Sequence, residues 1–256
     1  MDRASVLAAF DAEVRRDPRE TGGAVEREGA VVRVVGEHWS GVLWSGLDAV
    51  SADATIAAQI ERFAHHGGRW EWKLFSYDRP GDLPERLAAA GLRPGEQESL
   101  LVAEIAELRI DAEPPAGVEL VAVADEAAVL ALVRLQAQVF GDEDGDSMAA
   151  PLLDAISRRP PHAAAVLALA DGEPVAGGRV DLPPGRRFAG LFGGVTREDH
   201  RRRGIFTAVV AHRAAAAAAR GCRWLYVDAL ETSRPILERL GFVELAKTTP
   251  YVPHAD

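Results

Sequence analysis

The stretch that decides the fold is Thr196-Arg-Glu-Asp-His-Arg-Arg-Arg-Gly-Ile-Phe206. An apolar run at residues 188–195 precedes it and predicts a buried strand. Residues 207–220 follow it, are rich in alanine and contain no proline or glycine, which predicts a helix. A turn between this strand and this helix leaves unpaired backbone N–H groups at the positive end of the helix dipole. Such a helix end binds phosphate through the backbone.

The side chains of the turn favour the same ligand. Arg201, Arg202 and Arg203 add positive charge, and Gly204 lets a ligand approach the backbone closely. A run of arginines is also typical of a solvated surface or of a patch that binds nucleic acid. The strand before the run and the helix after it favour phosphate binding over both alternatives.

The motif Arg201-x-x-Gly204-x-Phe206 resembles the loop that binds the acetyl-CoA pyrophosphate in the GNAT superfamily of N-acetyltransferases. The family's pattern is Arg/Gln-x-x-Gly-x-Gly/Ala. Further along the chain, Leu240-Gly241-Phe242 matches the end of the family's Leu-Tyr-x-x-Leu-Gly-Phe wording. The resemblance implies an α/β (α+β) fold whose central mixed, mostly antiparallel sheet is flanked by helices.

The pattern of elements after the turn agrees with this family. Residues 223–229 predict a strand, residues 233–240 predict a short helix, and residues 244–252 predict a closing strand. Gly241 follows the short helix, as is typical of a helix end.

Two domains are predicted. Paired prolines and a glycine indicate a linker at residues 111–117, between a first domain at residues 1–110 and a second at residues 118–256. In the second domain Asp125 is expected to cap a helix. Asp171-Gly172 is expected to turn a hairpin.

The first domain repeats features of the second. Arg69-Trp70 matches Arg223-Trp224, and Leu87-x-x-x-Gly91-Leu92 matches Leu237-x-x-x-Gly241-Phe242. Residues 43–48, which correspond to the phosphate loop, lack the Arg-x-x-Gly-x-Gly/Ala pattern. We therefore expect two tandem GNAT-like modules, a layout associated with actinobacterial members of the family, with a degenerate first half that does not bind the cofactor.

The resemblance also implies where acetyl-CoA, the co-substrate, binds. The end of the strand pairs with the pantetheine arm as a sheet edge would, and a backbone N–H there stabilises the developing oxyanion. The turn and the start of the helix hold the pyrophosphate. The residues implied are Gly194, Val195, Thr196, Arg201, Arg202, Arg203, Gly204, Ile205, Phe206 and Thr207.

The sequence departs from the family pattern at two positions. Leu237 stands where the family has a tyrosine that serves as general acid, and Phe206 stands where the loop has glycine or alanine. Candidates for the catalytic groups are Tyr226, Asp228 and Glu231, at and after the predicted strand at residues 223–229. No metal is expected, because the acidic loop at residues 141–146 lacks the spacing of a calcium-binding loop.

Two functions stay open. The first is an acetyl-CoA-dependent N-acetyltransferase, an acyltransferase that transfers groups other than aminoacyl groups, moving an acetyl group to a primary amine of a small molecule by direct attack. The alternative is a non-catalytic acyl-CoA-binding or regulatory GNAT-like module, which the two departures favour.

Composition sets the remaining expectations. The 256 residues are 48% hydrophobic and carry a formal net charge of −10, which disfavours a nucleic-acid partner and suits a small cationic amine. The lone Cys222 predicts a reducing, cytoplasmic location and a core position for its thiol. No apolar run approaches the ~20 residues that span a membrane. A signal peptide and a membrane partner are not expected, and the oligomeric state is left as monomer or homodimer.

Overall fold

The computed structural model describes residues 1–19, 23–37, 39–66, 69–110, 113–141 and 148–254. Within this chain there are two compact units. The first unit consists of Met1–Leu101, Asp228–Pro235 and Glu244–Asp256, and the second of Val102–Val227 and Ile236–Val243. Parts of the predicted linker (residues 111–112) and of the predicted acidic loop (residues 142–146) lie outside the described residues.

Among the described residues there are seven α-helices and twelve strands, in the following chain order. They are α1 (Arg3–Phe10), β1 (Gly23–Glu28), β2 (Val31–Gly36), β3 (Ser40–Ser45), α2 (Ala52–His66), β4 (Trp70–Phe75), α3 (Leu83–Ala89), β5 (Leu92–Pro94), β6 (Glu98–Glu104), β7 (Val118–Ala122), α4 (Glu126–Phe140), α5 (Ala149–Ser157), β8 (Ala163–Ala170), β9 (Glu173–Asp181), β10 (Phe188–Thr196), α6 (Ile205–Ala219), β11 (Trp224–Ala229), α7 (Arg234–Arg239) and β12 (Val243–Pro253). None of the described helices combines the length and the apolar character that crossing a membrane requires.

The first unit contains a mixed sheet. Strands β1, β2, β3, β4 and β12 lie side by side in that order, and β5 pairs with β12. The pair β3–β4 is parallel, whereas β1–β2, β2–β3 and β12–β4 are antiparallel. Its core is built from buried apolar side chains of α2, β4 and α3, among them Ile56, Phe63 and Trp72. The ring of Phe63 stacks on Trp70 with 4.5 Å between centroids.

Strand β12 pairs with β4, and the end of the chain therefore belongs to the first unit. The two units thus differ from the two domains predicted from the sequence. The register Thr248↔Phe75 to Tyr251↔Trp72 joins the end of the chain to the first unit. The sequence-based boundary instead assigned all of residues 118–256 to one domain.

The second unit also contains a mixed sheet with helices on both faces. Strands β7, β8, β9, β10 and β11 follow one another, with β10–β11 parallel and the other pairs antiparallel. Helices α4 and α5 cover one face with Leu132, Val133 and Leu152, and α6 covers the other with Ile205 and Val209. A mixed sheet flanked by helices confirms the predicted fold class.

The predicted repeat corresponds to a shared arrangement of elements in the two units. The order β3-α2-β4-α3 in the first unit matches β10-α6-β11-α7 in the second. In each case the two strands form a parallel ladder of three residue pairs, which begins at Ser40↔Trp70 in the first unit and at Phe188↔Trp224 in the second. The matched tryptophans Trp70 and Trp224 thus occupy equivalent positions in the two ladders.

A buried cation ties several segments of the first unit together. The guanidinium of Arg15 makes two hydrogen bonds of 2.8 Å to the Asp78 carboxylate and one of 3.0 Å to the Leu43 carbonyl. It also pairs with Asp11 at 3.0 Å and lies 3.8 Å from the centroid of the Phe75 ring. Because both Arg15 and Asp78 are almost fully buried, each charge depends on the other for compensation.

Replacing Arg15 by methionine should lower the free energy of unfolding by about 3–5 kcal/mol, because Asp78 is then left buried without its cation. Urea denaturation followed by tryptophan fluorescence measures this loss. The exposed Arg3 on α1 provides the matched control, and Arg3→Met should change stability by less than about 0.5 kcal/mol. Equal effects of the two substitutions would contradict a structural role for the Arg15–Asp78 pair.

Candidate functional site

Strand β10 contains a bulge near its end. Phe192 pairs with Arg179 and Val195 with Gly177, so β10 has one residue more than β9 between these two pairs. Gly193, at the bulge, has a φ of 57°, and its carbonyl accepts a 2.7 Å hydrogen bond from the Gln136 side chain. A Cβ on Gly193 would lie 2.3 Å from Gln136 Nε2, so this position requires glycine.

Beyond the start of the parallel ladder, β10 separates from β11. The ladder runs from Phe188↔Trp224 to Gly190↔Tyr226, whereas β10 continues to Thr196. The β11-facing edge of its last residues therefore has no ladder partner within the described part of β11. Thr196 Oγ1 is buried and finds no hydrogen-bond partner among the described residues. This edge can pair with an extended ligand in the way a further strand would.

The turn after β10 leads into a helix end without a side-chain cap. Gly204 is the N-cap residue of α6 with a φ of 83°, and no atom lies within 4 Å of the position its Cβ would take. The first bond of the helix runs from the Ala208 N–H to the Gly204 carbonyl at 3.2 Å. The N–H groups of residues 205–207 precede this bond and have no intrahelical acceptor. The helix begins at Ile205, two residues before the predicted start.

The side chains implied by the family resemblance divide into two groups. Arg201, Arg202 and Arg203 are exposed, and Arg201 Nε donates to the Thr196 carbonyl at 3.2 Å. Val195 and Ile205 are 2% and 1% exposed, so they can offer a ligand their backbone alone. These positions fit an anion held by backbone N–H groups and surface arginines together.

Phe206 lies against the strand. Its Cε2 atom is 3.5 Å from the position that a Cβ on Gly194 would take. The ring thus occupies space beside the predicted pantetheine strand, where the family's glycine or alanine would leave room.

Arg213 on α6 is a site residue that sequence reasoning missed. It is 2% exposed, and it donates to the carbonyls of Val209 and Arg179 at 3.2 Å each. Burial lowers the pKa of Arg213 to about 10, with a contribution from the positive charge of Arg179. The guanidinium therefore stays charged at neutral pH next to the bulged strand. The available signal was an arginine in the interior of the alanine-rich helix α6.

A polar and aromatic cluster, of which the sequence analysis identified only Tyr226, lies on the strands of the second unit. Arg179 pairs with Asp181 at 3.0 Å and stacks over the Phe192 ring at 5.0 Å. Phe192 meets Tyr226 edge to face, with 6.0 Å between the centroids. Tyr226 reaches over Gly190, because its hydroxyl is 2.7 Å from the position of a Cβ there. Arg179 and Asp181, at the end of a largely apolar strand, were the signal for this cluster.

Asp228, the second catalytic candidate, lies in a charged cluster of the first unit. Lys73 Nζ is 2.6 Å from its carboxylate, and Thr248 Oγ1 donates to it at 3.3 Å. Lys73 is also 3.6 Å from Glu98, and burial raises the pKa of Glu98 to about 7 against the opposing charge of Lys73. The Asp228 carboxylate is therefore held by partners within its own unit.

Glu231, the third candidate, is exposed. Arg234 donates two hydrogen bonds of 2.9 and 2.8 Å to its carboxylate and lowers its pKa. Lys247 Nζ lies 3.8 Å away. A general base works best with a pKa near the operating pH, so this environment suits Glu231 less well for proton abstraction. Tyr226 belongs to the second unit, whereas Asp228 and Glu231 belong to the first.

Two further positions bear on the predictions. Leu237 is 1% exposed and packs in the core, so it supplies no proton donor. Cys222 is buried, and burial raises the pKa of its thiol, which agrees with a core residue. Within the described ranges, no group of three or more His, Cys, Asp or Glu side chains is placed to hold a metal ion.

The helix of the first unit that corresponds to α6 has a different N-terminus. Asp48 Oδ1 accepts hydrogen bonds from the N–H groups of Val50 and Ser51 at 3.0 and 2.8 Å, and from the Ser51 hydroxyl at 2.8 Å. These bonds, with the Ser51 N–H foremost, hold the pKa of the Asp48 carboxyl below its usual value. A carboxylate of the chain itself thus occupies the start of α2.

Comparison with known proteins agrees with this geometry. Residues 129–242 match the model of the acetyltransferase (GNAT) family. No match is found among curated proteins. A GCN5-related N-acetyltransferase from Kribbella flavida has a TM-score of 0.68 at 18% identity, over 99% of this chain and 95% of that one.

Two other solved structures show the same fold. A functionally unknown conserved protein from Staphylococcus epidermidis ATCC 12228 has a TM-score of 0.68 at 14% identity, over 96% of this chain and 98% of that one. A tandem GNAT protein from the clavulanic acid biosynthesis pathway has a TM-score of 0.63 at 16% identity, over 99% of this chain and 95% of that one. At these identities the likeness concerns the fold. The family match shows an acetyltransferase (GNAT) domain at residues 129–242.

Proposed function

We propose that this protein is a cytoplasmic, acetyl-CoA-dependent N-acetyltransferase that transfers an acetyl group to a primary amine of a small cationic molecule. The observation that carries the proposal is the open N-terminus of α6 next to the unpaired edge of β10. A pyrophosphate and an extended pantetheine arm are the two parts of acetyl-CoA that such neighbours recognise.

Each part of the cofactor has a matching part of the second unit. The N–H groups of residues 205–207 and the exposed side chains of Arg201, Arg202 and Arg203 take the pyrophosphate. Residues 194–196 of β10 offer backbone to the pantetheine amides. The fit supports a single acetyl-CoA per chain, because Asp48 places a negative charge at the start of α2, where a second pyrophosphate would have to bind.

The chemistry requires few groups. The amine nitrogen attacks the thioester carbonyl, a C–N bond forms, the C–S bond breaks, and the amine gives up a proton. A backbone N–H at the bulge of β10 can stabilise the oxyanion. A thiol with a pKa near ~8.5 leaves as a thiolate at neutral pH without a proton donor, so the buried Leu237 does not prevent transfer.

The catalytic candidates remain Tyr226, Asp228 and Glu231. Their surroundings make them unequally suited to transfer a proton. The hydroxyl of Tyr226 lies over Gly190, where β10 and β11 begin to separate. Asp228 is held by Lys73, and Glu231 is exposed and paired with Arg234. We therefore infer that Tyr226, which belongs to the same unit as the loop at residues 201–207, carries the proton transfer. The net charge of −10 favours a cationic acceptor, taken up by a monomer or a homodimer.

A second candidate function is an acyl-CoA-binding module without turnover. Leu237 favours it, because this buried side chain replaces the family's proton donor with a group that cannot exchange protons. Binding of acetyl-CoA is common to both candidates, whereas transfer to an amine distinguishes them.

Substitution of Gly204 by aspartate should abolish acetyl-CoA binding, since it adds a negative charge where the pyrophosphate lies and strains a backbone with a φ of 83°. Isothermal titration with acetyl-CoA measures the loss, and wild type should bind one molecule per chain. Gly204→Ala carries the same backbone strain without the charge and should retain measurable binding.

Gly29→Asp is the matched control in the first unit, because Gly29 has a φ of 55° and equally open surroundings. This variant should bind acetyl-CoA as wild type does. Wild-type affinity in Gly204→Asp would contradict the assignment of the loop. Binding of two acetyl-CoA molecules per chain would contradict the prediction that the first half does not bind the cofactor.

Removal of the Tyr226 hydroxyl in Tyr226→Phe should lower kcat by about 10²-fold or more, because proton transfer by a positioned side chain contributes ~10²–10⁴ in rate. The KM for acetyl-CoA should stay within about twofold. Steady-state kinetics with an amine found by library screening provide the measurement. Glu231→Gln, at the exposed and paired carboxylate, is the comparison and should cost less than about tenfold. A larger loss in Glu231→Gln than in Tyr226→Phe would reverse the ranking.

A further inference from the structure

Among the described residues, three arginines are buried, and one of them lacks a carboxylate partner. Arg15 pairs with Asp78 at 2.8 Å, and Arg33 pairs with Glu26 at 2.7 Å. Arg213, which is 2% exposed, forms no ion pair with any described residue. Its hydrogen bonds go to two backbone carbonyls, through Nε and Nη1. The Nη2 nitrogen donates no hydrogen bond to a described residue.

A buried cation without an opposite charge is unfavourable, and an apolar side chain of similar volume in its place is often neutral or stabilising. Apart from His212, the residues of α6 around this position are small or apolar, so packing alone does not require a guanidinium there. The surrounding sheet is shaped to admit it. A Cβ on Gly178 would lie 2.7 Å from Arg213 Nη1, so a larger residue there would displace the guanidinium.

The unpaired nitrogen lies beside the strand proposed for the cofactor. Arg213 Nη2 is 3.4 Å from the position that a Cβ on Gly194 would take, and Phe206 borders the same glycine. Gly194 begins the segment proposed to pair with the pantetheine arm near the thioester. An acyl group on a thioester bound along this strand would therefore be close to a positive charge that has no counter-ion among the described residues.

We infer that Arg213 is the counter-ion for a carboxylate at the far end of the acyl group, and that the donors of this protein include dicarboxylic acyl-CoA thioesters such as malonyl-CoA and succinyl-CoA. This inference rests on the proposed function. The transfer itself is unchanged: the amine nitrogen attacks the thioester carbonyl, the C–S bond breaks, CoA leaves as the thiolate and the amine proton is released. The product is an amide that keeps a free carboxylate.

Titration of the wild-type protein with CoA, acetyl-CoA, malonyl-CoA and succinyl-CoA tests the inference without any substitution and without knowledge of the acceptor. At least one of the two dicarboxylic thioesters should bind about tenfold or more tightly than acetyl-CoA, as a charge-assisted hydrogen bond in a buried site would provide. Arg213→Met should remove this preference and leave the affinity for CoA within about twofold. Arg213→Lys should keep part of the preference.

Arg220→Met is the control on the same helix, because Arg220 is exposed at the C-cap of α6. It should bind all four ligands as wild type does. Equal or weaker binding of both dicarboxylic thioesters relative to acetyl-CoA would overturn the inference and leave the proposed function in place. Preference retained in Arg213→Met would also overturn it. Failure of all four ligands to bind would overturn the proposed function, and the inference with it.

Discussion

The open N-terminus of α6 is the constraint on which the candidate site depends. A helix start carries N–H groups without intrahelical acceptors, and a protein satisfies them with a side chain, with water or with a ligand. In the turn directly before α2, the carboxylate of Asp48 accepts the N–H groups of Val50 and Ser51. At α6 the cap is Gly204, which has no side chain and a left-handed backbone that turns the chain sharply from β10 into the helix. The corresponding helices of the two units thus begin differently: a carboxylate lies in the turn before α2, whereas α6 starts at a glycine without a side-chain cap.

The parts of the fold predicted well from the sequence are those set by local chemistry. Asp125 caps α4 by accepting the Ala128 N–H at 2.9 Å, and Asp171-Gly172 turns the β8–β9 hairpin with φ values of 51° and 81°. Gly241 follows α7 with a φ of 107°, as a helix-ending glycine should. In each case the residue that decides the structure lies within a few positions of the element that it shapes.

Long-range pairing was beyond such reasoning. The strand at the end of the chain was predicted, yet its periodicity contains nothing that selects β4 as its neighbour. The start of α6 was placed two residues late because its cap is a glycine in place of the usual polar side chain. Ile205 belongs to the buried face of the helix, an assignment that depends on the strands packed beneath it.

In the candidate site, too, features set by local sequence were predicted and features set by long-range packing were not. The turn from β10 into α6 was predicted from adjacent residues, because a glycine-containing turn and a helix start are set by local sequence. Gln136, Arg179 and Arg213 were missed because their roles arise from register and packing. The bulge in β10 brings the Gly193 carbonyl to Gln136, and the absence of a side chain at Gly178 leaves room for the Arg213 guanidinium. Polar side chains in apolar segments were the sequence signal for these residues, and the signal does not say which strand they meet.

The leucine at position 237, where the family has a tyrosine, does not by itself prevent acyl transfer. Most of the barrier to acyl transfer from a thioester lies in bringing the amine to the carbonyl and in stabilising the oxyanion, for which backbone groups and position suffice. A proton donor assists a leaving group most when that group is a poor one, and a thiolate is a good one. With Leu237 sealed in the core, any proton transfer must come from another element, and the hydroxyl of Tyr226 already lies where β10 and β11 part. The geometry of those two strands, more than the identity of residue 237, therefore decides whether the chain transfers acyl groups or only binds their carrier.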